Sequence, residues 1–267
     1  MRILISRAMR WLVVVCVIAL SSCQNPVLFP SSLARNRLSV KDAAALRPPP
    51  VRVSLAKSFG WFFQAETSPH AIMMFHGNAE TVDDYAQWAA SIAQRGVSVL
   101  LVEFPGYRGA GGKATQLSIR KVALAGYDRL RSSGYSADGI TVFGRSVGAA
   151  AACDLSRHRE VKRLLLVSPF TTLGEVARHA GLPEAVALGK FNNREALADY
   201  GGRLLIVHGR LDAIIPFSMG QELIGASGTP DQNRFFLALD AGHNDLLSRY
   251  EGILTERIVS FAVGSNP

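Results

Sequence analysis

Cysteine is scarce in this sequence, and its positions exclude a disulfide-stabilised fold. Of the three cysteines in 267 residues, Cys16 and Cys23 lie near the N-terminus, so only Cys153 remains for the body of the chain. A single cysteine has no intramolecular partner. Cys153 lies among alanines, and we expect it to be a small, buried apolar residue.

The features of nucleic-acid-binding and metal-binding proteins are also missing. The formal net charge is +8, but the basic residues are dispersed, and there is no zinc finger or aromatic-rich basic strip. His70, His158 and His179 have no carboxylate or cysteine at ligand spacing. The sequence therefore predicts no nucleic-acid partner, no metal and no cofactor, and it does not indicate an oligomeric state.

Long hydrophobic runs are absent as well. The N-terminal run Trp11–Leu20 has ten residues, whereas a membrane-spanning helix needs about 20. It follows Arg2, Arg7 and Arg10, and this arrangement is typical of a secretory signal peptide. We therefore assign residues 1–22 to a signal peptide and exclude them from the folded domain.

The next residues resemble the bacterial lipoprotein box, in which small residues precede a cysteine that is acylated and becomes the new N-terminus. The box here is Leu20-Ser21-Ser22-Cys23, and it predicts lipid attachment at Cys23. The alternative is an ordinary signal peptide that is cut nearby. Gln24, in place of an acidic residue, resembles lipoproteins of an outer membrane. The resemblance implies a lipid-anchored protein of the cell envelope, facing the periplasm if the organism has two membranes.

Residues 23–50 are interpreted as a lipidated tether. Pro26 and the run Pro48-Pro49-Pro50 disfavour regular structure, although residues 33–46 are compatible with one short helix. The composition, 48% hydrophobic and 19% charged, is sufficient for one sizeable core. We therefore predict a single domain over residues 51–267.

Strand-like and helix-like segments alternate along this domain. The alternation predicts an α/β fold with a mostly parallel, doubly wound sheet of about eight strands and helices on both faces. The first two strands are expected to pair as an antiparallel hairpin. Predicted strands are 51–57, 59–66, 70–76, 97–103, 139–143, 161–167, 203–208 and 233–239, and predicted helices are 81–95, 115–133, 147–158, 216–226 and 244–262.

The most informative motif is Gly144-Arg145-Ser146-Val147-Gly148, which lies between the apolar run Ile140–Phe143 and the small-residue run Ala149–Ala152. This order predicts a strand, a sharp turn and a helix, with Ser146 at the apex. A strained backbone is tolerated at such an apex only where the neighbours lack bulk, as the two glycines do. The turn exposes the hydroxyl at the carboxyl edge of the sheet, beside free N–H groups of a helix N-terminus.

A serine hydroxyl becomes a nucleophile only when a base removes its proton, and the base needs an acid to orient it. Asp212 and His243 each follow the end of a predicted strand, where loops converge on Ser146. The competing side chains are Asp240, Asp245, His208 and His76. Asp240 is too close in sequence to His243 to reach the far nitrogen of its ring easily. Asp245 suits the first turn of the last helix, where carboxylates are favoured. His208 is expected to make a packing or loop contact.

The order of these motifs resembles the α/β-hydrolase superfamily, and in particular the small-lid branch with bacterial esterases, monoacylglycerol-lipase-like enzymes and protein depalmitoylating thioesterases. The resemblance spans nearly the whole chain after residue 50. Its motifs, besides the serine turn, are Phe75–Ala79, Phe104–Gly109, Ser168–Thr171, Gly209–Asp212 and Gly242–Asp245.

The resemblance implies a role for each site residue. Ser146 would attack an acyl carbonyl, His243 would act as general base, and Asp212 would orient the imidazole. The backbone N–H groups of Val147 and Asn78 would form the oxyanion hole. The substrate would be a small or lipid-like acyl compound, such as an ester or thioester of palmitate.

Two features bear on the substrate. The lid, at about 171–203, has room for only a helix or two, near 173–180 and 183–189. The acyl pocket is expected to be open and lined by Phe170, Leu173, Val176, Leu182 and Ile214, unless these residues only pack the lid. Arg145 either positions a polar substrate group or pairs with a nearby carboxylate.

The expected function is therefore a membrane-tethered serine hydrolase that cleaves acyl esters or thioesters through an acyl-enzyme. A serine peptidase with the same three side chains is the chemical alternative, and a non-catalytic envelope binding protein is the alternative from another class. Dehalogenases and epoxide hydrolases are disfavoured, because their nucleophile is a carboxylate where Ser146 stands.

Overall fold

The structure, a computed structural model, describes residues 40–107, 109–181, 183 and 191–267. The predicted signal peptide, Cys23 and most of the predicted tether lie outside the described residues, as does most of the predicted lid helix 183–189. Eight strands form one sheet. They are β1 (Val51–Leu55), β2 (Ser58–Phe63), β3 (Ala71–Phe75), β4 (Ser98–Val102), β5 (Ile140–Arg145), β6 (Arg163–Val167), β7 (Arg203–Gly209) and β8 (Arg234–Leu239).

The strand order across the sheet is β1-β2-β4-β3-β5-β6-β7-β8. β1 and β2 form an antiparallel hairpin, in which Val51 lies opposite Phe62, and β2 pairs with β4 in the antiparallel sense. All the remaining pairs are parallel. The predicted fold class is confirmed, because both the hairpin and the mostly parallel sheet are present.

Helices cover both faces of this sheet. They are α1 (Val40–Ala45), α2 (Ala86–Gln94), α3 (Gln116–Ser132), α4 (Val147–Ser156), α5 (Leu173–His179), α6 (Asn193–Ala198), α7 (Phe217–Ala226), α8 (Leu246–Arg249) and α9 (Glu251–Ala262), with short 3-10 helices at Val82–Tyr85 and Asp231–Asn233. None of the helices within the described ranges combines the length and the apolarity needed to cross a membrane.

Two hydrophobic cores lie on opposite faces of the sheet, because successive side chains of a strand point to opposite sides. In β3, Met73 packs with α3 and α4, while Ile72 and Met74 pack with α2 and α9. The central strands β3 and β4 are buried at every position, as expected for parallel strands covered on both faces. Parallel strands bring the loops that follow β3, β5, β7 and β8 to one edge.

Three helical segments differ from the predicted ones. The segment 81–95 begins as a 3-10 turn, and the segment 244–262 is divided into α8 and α9 at Tyr250, whose φ of −120° and ψ of 20° are not helical. α6 was not predicted. It begins at a cap in which the Asn192 side chain accepts a hydrogen bond from the N–H of Glu195, but its six residues are too few to show a helical period.

Candidate active site

The serine turn has the predicted geometry. β5 ends at Arg145 and α4 begins at Val147, which leaves Ser146 between them with a φ of 53° and a ψ of −116°. This positive φ is costly for a residue that has a Cβ. A side chain on Gly144 would overlap the backbone of Gly148. A side chain on Gly148 would overlap the backbone of Phe75, the last residue of β3. The close approach of these segments therefore requires both glycines.

The structure brings together Ser146, His243 and Asp212, although 97 and 31 residues separate them along the chain. The Oγ of Ser146 lies 3.1 Å from Nε2 of His243, and Nδ1 of His243 lies 2.7 Å from Oδ2 of Asp212. A carboxylate only accepts, so the proton of the neutral imidazole is on Nδ1 and Nε2 is free to accept from the hydroxyl. Ser146 is half-buried, whereas His243 and Asp212 are buried.

Asp212 is held by backbone and side-chain donors. Its Oδ1 accepts from the N–H groups of Ile214 and Ile215 at 3.0 and 2.8 Å. Burial acts to raise the carboxyl pKa, but donation by the imidazoles of His208 and His243 outweighs it, so the pKa of Asp212 is well below its usual range. Asp212 therefore stays ionised beside His243 across the physiological pH range.

The competing acids and histidine have other partners. Asp240 is exposed and pairs with Arg210 at 3.2 Å. Asp245 accepts from the N–H of Gly242 at 2.8 Å, at the start of α8. The Nε2 of His208 lies 3.0 Å from the carbonyl oxygen of Ile215, which is the loop contact expected from the sequence, and 3.5 Å from Oδ2 of Asp212.

The loop after β3 contains the predicted oxyanion residue. Asn78 is half-buried, and its Oδ1 accepts a hydrogen bond of 2.8 Å from the hydroxyl of Tyr107. Ala79, the next residue, has a φ of 60°, so the chain turns sharply at this point. Val147 is the first residue of α4 and is buried. The oxyanion role of these two N–H groups stays a prediction, and the part of Tyr107 in orienting Asn78 was not foreseen.

His76 forms a buried ion pair beneath this loop. Its Nε2 lies 2.8 Å from Oε1 of Glu103, and its Nδ1 lies 2.8 Å from the carbonyl oxygen of Gly77. Both oxygens of Glu103 accept further bonds, from the N–H groups of Phe104 and Val82. Two acceptors facing both ring nitrogens favour the doubly protonated imidazolium. Burial acts to lower the pKa of His76, but the contact with Glu103 outweighs it and raises the pKa.

The raised pKa of His76 predicts a pH-dependent stability. A raised pKa in the folded state gives a stabilisation that is complete below the unfolded value, about 6.5, and is lost as the pH rises through the folded value. The free energy of unfolding should therefore fall above about pH 6.5, by at most about 1.4 kcal/mol per pH unit. Urea unfolding measured across this range should show the slope in wild type and in His179→Gln, an exposed control, but not in His76→Gln. An equal slope in all three would contradict the prediction.

Arg145 pairs with a carboxylate, which is one of its two expected roles. Its partner is Glu80, three residues beyond Gly77, and the Arg145 side chain is 5% exposed. Burial acts to lower the guanidinium pKa, but Glu80 outweighs it and raises the pKa of Arg145 further above its usual range. Glu80 was missed in the sequence, because nothing local marks a contact across 65 residues.

Most residues expected to line an acyl pocket pack into the core instead. Phe170, Leu173 and Val176 are buried in the core beside α3 and α4, and Ile214 is half-buried against it. Leu182 lies outside the described residues. This arrangement agrees with the packing alternative. Over the described part of the chain, no three His, Cys, Asp or Glu side chains group as metal ligands.

No model of a protein family matches this chain. An uncharacterized protein of Mycobacterium tuberculosis is 31% identical over 192 residues, which are 70% of this chain and 68% of that protein. Human alpha/beta hydrolase domain-containing protein 17B is 26% identical over 199 residues, 73% of this chain and 67% of that one.

Solved structures share the architecture. A Pyrococcus furiosus esterase superposes with a TM-score of 0.67 at 20% identity, over 85% of this chain and 95% of the esterase. The sheet order, the turn at Ser146 and these likenesses agree. The chain therefore has the α/β-hydrolase fold.

Proposed function

We propose that this protein is a serine hydrolase that cleaves acyl esters or thioesters through an acyl-enzyme on Ser146. The main support is the unbroken hydrogen-bonded path from Ser146 through His243 to Asp212. The path ends on a hydroxyl held in a strained turn, and such strain is typical of functional sites. A half-buried serine is also accessible to a substrate.

The proposed reaction begins with attack of Ser146 Oγ on the acyl carbonyl. His243 Nε2 takes the hydroxyl proton, and the ionised Asp212 stabilises the imidazolium that forms. The oxyanion of the tetrahedral intermediate accepts from the N–H groups of Val147 and Asn78. Each such donor contributes about 3 kcal/mol to transition-state stabilisation in comparable enzymes.

Collapse of the intermediate breaks the bond to the alcohol or thiol, which leaves with the proton from His243. Water then attacks the acyl-enzyme and gives its proton to Nε2. As the second tetrahedral intermediate collapses, His243 returns that proton to Ser146 Oγ, which releases the carboxylic acid and the free serine. Each step needs only the three side chains and the two backbone donors. The chemistry of the leaving group therefore depends on the pocket rather than on this machinery.

A fluorophosphonate probe tests the proposal, because it phosphonylates an activated serine in preference to other side chains. The expected result is one added phosphonyl group per chain, located on the peptide that contains Ser146. Labelling at another residue, or no labelling of a folded protein, would overturn the proposed function and would favour a binding protein.

A substrate panel tests the class of bond that is cleaved. The panel contains aryl esters of increasing chain length, an acyl thioester and a peptide amide, each assayed with wild type and with Ser146→Ala. We expect turnover of esters and thioesters that depends on Ser146. Turnover of the amide with little ester hydrolysis would instead identify a peptidase.

We also propose that the enzyme is tethered to a membrane through Cys23. The support is the sequence alone: three arginines, the apolar run Trp11–Leu20 and then a cysteine after small residues. One acyl chain binds a membrane only marginally, so stable anchoring at Cys23 needs a second signal, such as a second acyl chain. Residues 24–50 would then separate the anchor from the sheet.

Replacing Cys23 by serine is expected to release the protein from the membrane fraction. The measurement is fractionation of a bacterial host, together with the intact mass of the protein, which should lose the mass of the lipid. Cys153→Ala is the matched control, because that cysteine is buried in the folded domain and should leave partitioning unchanged. A Cys23→Ser protein that stays with the membrane would refute the anchor.

A further inference from the structure

The buried ion pair between Arg145 and Glu80 touches three loops of the proposed active site. Arg145 is the residue before Ser146, so its backbone belongs to the serine turn. Its Nη1 pairs with Oε1 of Glu80, and its Nη2 donates to the carbonyl oxygen of His243 at 2.8 Å. One guanidinium therefore connects the loop of the serine with the loop of the histidine.

Glu80 makes the connection to the third loop. Its Oε2 accepts from the N–H of Gly77 at 2.6 Å and from the hydroxyl of Tyr85 at 2.7 Å. Gly77 immediately precedes Asn78, and a Cβ on Gly77 would lie 2.6 Å from Oε2 of Glu80 and 2.8 Å from Nη1 of Arg145. The loop that contains Asn78 therefore packs directly on the ion pair.

We propose that the Glu80–Arg145 pair is a positioning unit that fixes the loops of Ser146, His243 and Asn78 relative to one another. The inference rests on the proposed serine hydrolase function and adds residues that do not touch the reacting atoms. The two side chains must act together, because Arg145 binds the loop of His243 and Glu80 binds the loop of Asn78.

The physical chemistry of the pair fits this role. Burial acts to raise the pKa of Glu80, but Arg145 outweighs it and lowers the pKa, so the carboxylate stays ionised. Hydrogen bonds between ionised groups are short and directional, and the planar guanidinium binds two acceptors in a fixed geometry. Attack geometry is sensitive, since a misplacement of about 1 Å costs about 100-fold in rate.

A cleft beside the pair provides a route for testing it. The cleft has a volume of about 210 Å³ and opens to solvent, and the Glu80 side chain is 25% exposed. Its other lining residues include Tyr85, Asn244 and Ser248. Truncation of Glu80 would therefore leave a space beside Arg145 that formate can enter from solution.

The decisive variant is Glu80→Ala, and the readout is the second-order rate of fluorophosphonate labelling at Ser146. We expect a decrease of about 100-fold, and kcat for an aryl ester should fall with little change in KM. Formate should restore a large part of both rates, because its carboxylate pairs with Arg145. Rescue by a soluble ion separates positioning from a general loss of folding.

Asp154→Ala is the matched control. Asp154 forms a partly buried ion pair with Arg120 on α3, with bonds of 2.6 and 2.7 Å, and lies on the same helix that follows Ser146. It should label at the wild-type rate and show no response to formate. The conservative variant Arg145→Lys keeps the charge but not the planar fork, so it should label more slowly while its fold, measured by thermal unfolding, persists.

Ser146→Ala distinguishes failure of the inference from failure of the proposed function. If Ser146→Ala labels as fast as wild type, the serine hydrolase proposal fails. If labelling depends on Ser146 but is unchanged in folded Glu80→Ala or Arg145→Lys, the positioning role is overturned. A loss in Glu80→Ala that neither formate nor the variant Glu80→Asp relieves would also overturn it.

Discussion

Replacing Ser146 by alanine is expected to lower kcat for a suitable aryl ester by about 10⁶-fold. The reason is the loss of the only atom that bonds covalently to the acyl group in the proposed reaction. His243 and the backbone donors would remain, so a small catalytic effect of binding and oxyanion stabilisation should persist. Fold should be retained, because alanine has the same backbone preferences as serine at this position.

Two further variants make this measurement decisive. His243→Ala should lose about as much activity as Ser146→Ala, and the double variant should be no worse, because the two side chains act as a unit. Ser156→Ala is the control: Ser156 is the last residue of α4, the helix that follows Ser146, and its hydroxyl donates to the carbonyl oxygen of Cys153 at 2.8 Å. It should keep the wild-type rate. Turnover by Ser146→Ala at the wild-type rate would refute the mechanism.

Replacing Asp212 by asparagine is expected to lower kcat by about 10⁴-fold. The amide would retain the shape of the carboxylate, but its NH2 group can donate to Nδ1 of His243. That contact would favour the tautomer with the proton on Nε2, which cannot accept from the hydroxyl of Ser146. The imidazolium formed during attack would also lose its neighbouring negative charge.

Asp240→Asn is the matched control for this prediction. Asp240 was one of the two competing acids close to His243 in sequence, but its side chain is 73% exposed and pairs with Arg210. Exposed pairs contribute little to stability, so kcat and the unfolding midpoint should both remain at wild-type values. A larger loss of kcat in Asp240→Asn than in Asp212→Asn would show that the acid role has been assigned to the wrong residue.

The features that were predicted from the sequence are those encoded locally. Apolar runs such as the one within 203–208 located the strands, and the glycines around Ser146 located the turn. The order of strands in a parallel sheet then indicated that residues at strand ends, such as Asp212 and His243, lie at one edge. These inferences need only periodicity, glycine and the rule that loops converge at the carboxyl ends of strands.

The features that were missed depend on contacts between distant segments. A carboxylate partner was expected for Arg145, but Glu80 lies 65 residues away and has no local signature. The hydrogen bond between Tyr107 and Asn78 likewise joins two loops. The break at Tyr250, between α8 and α9, was also missed. The apolar pattern of the sequence continues through this residue as if there were one helix, and tertiary packing overrides that pattern.

The backbone at Ser146 has a consequence for any attempt to make this protein tolerate heat. A residue with a Cβ in that conformation costs about 1–3 kcal/mol, whereas glycine adopts it freely at an entropic cost of about 0.5–1 kcal/mol. Glycine at position 146 should therefore raise the melting temperature while removing the hydroxyl. A laboratory evolution experiment that selects for thermal survival alone would enrich Ser146→Gly, and the selected protein would lack the hydroxyl that the proposed reaction needs.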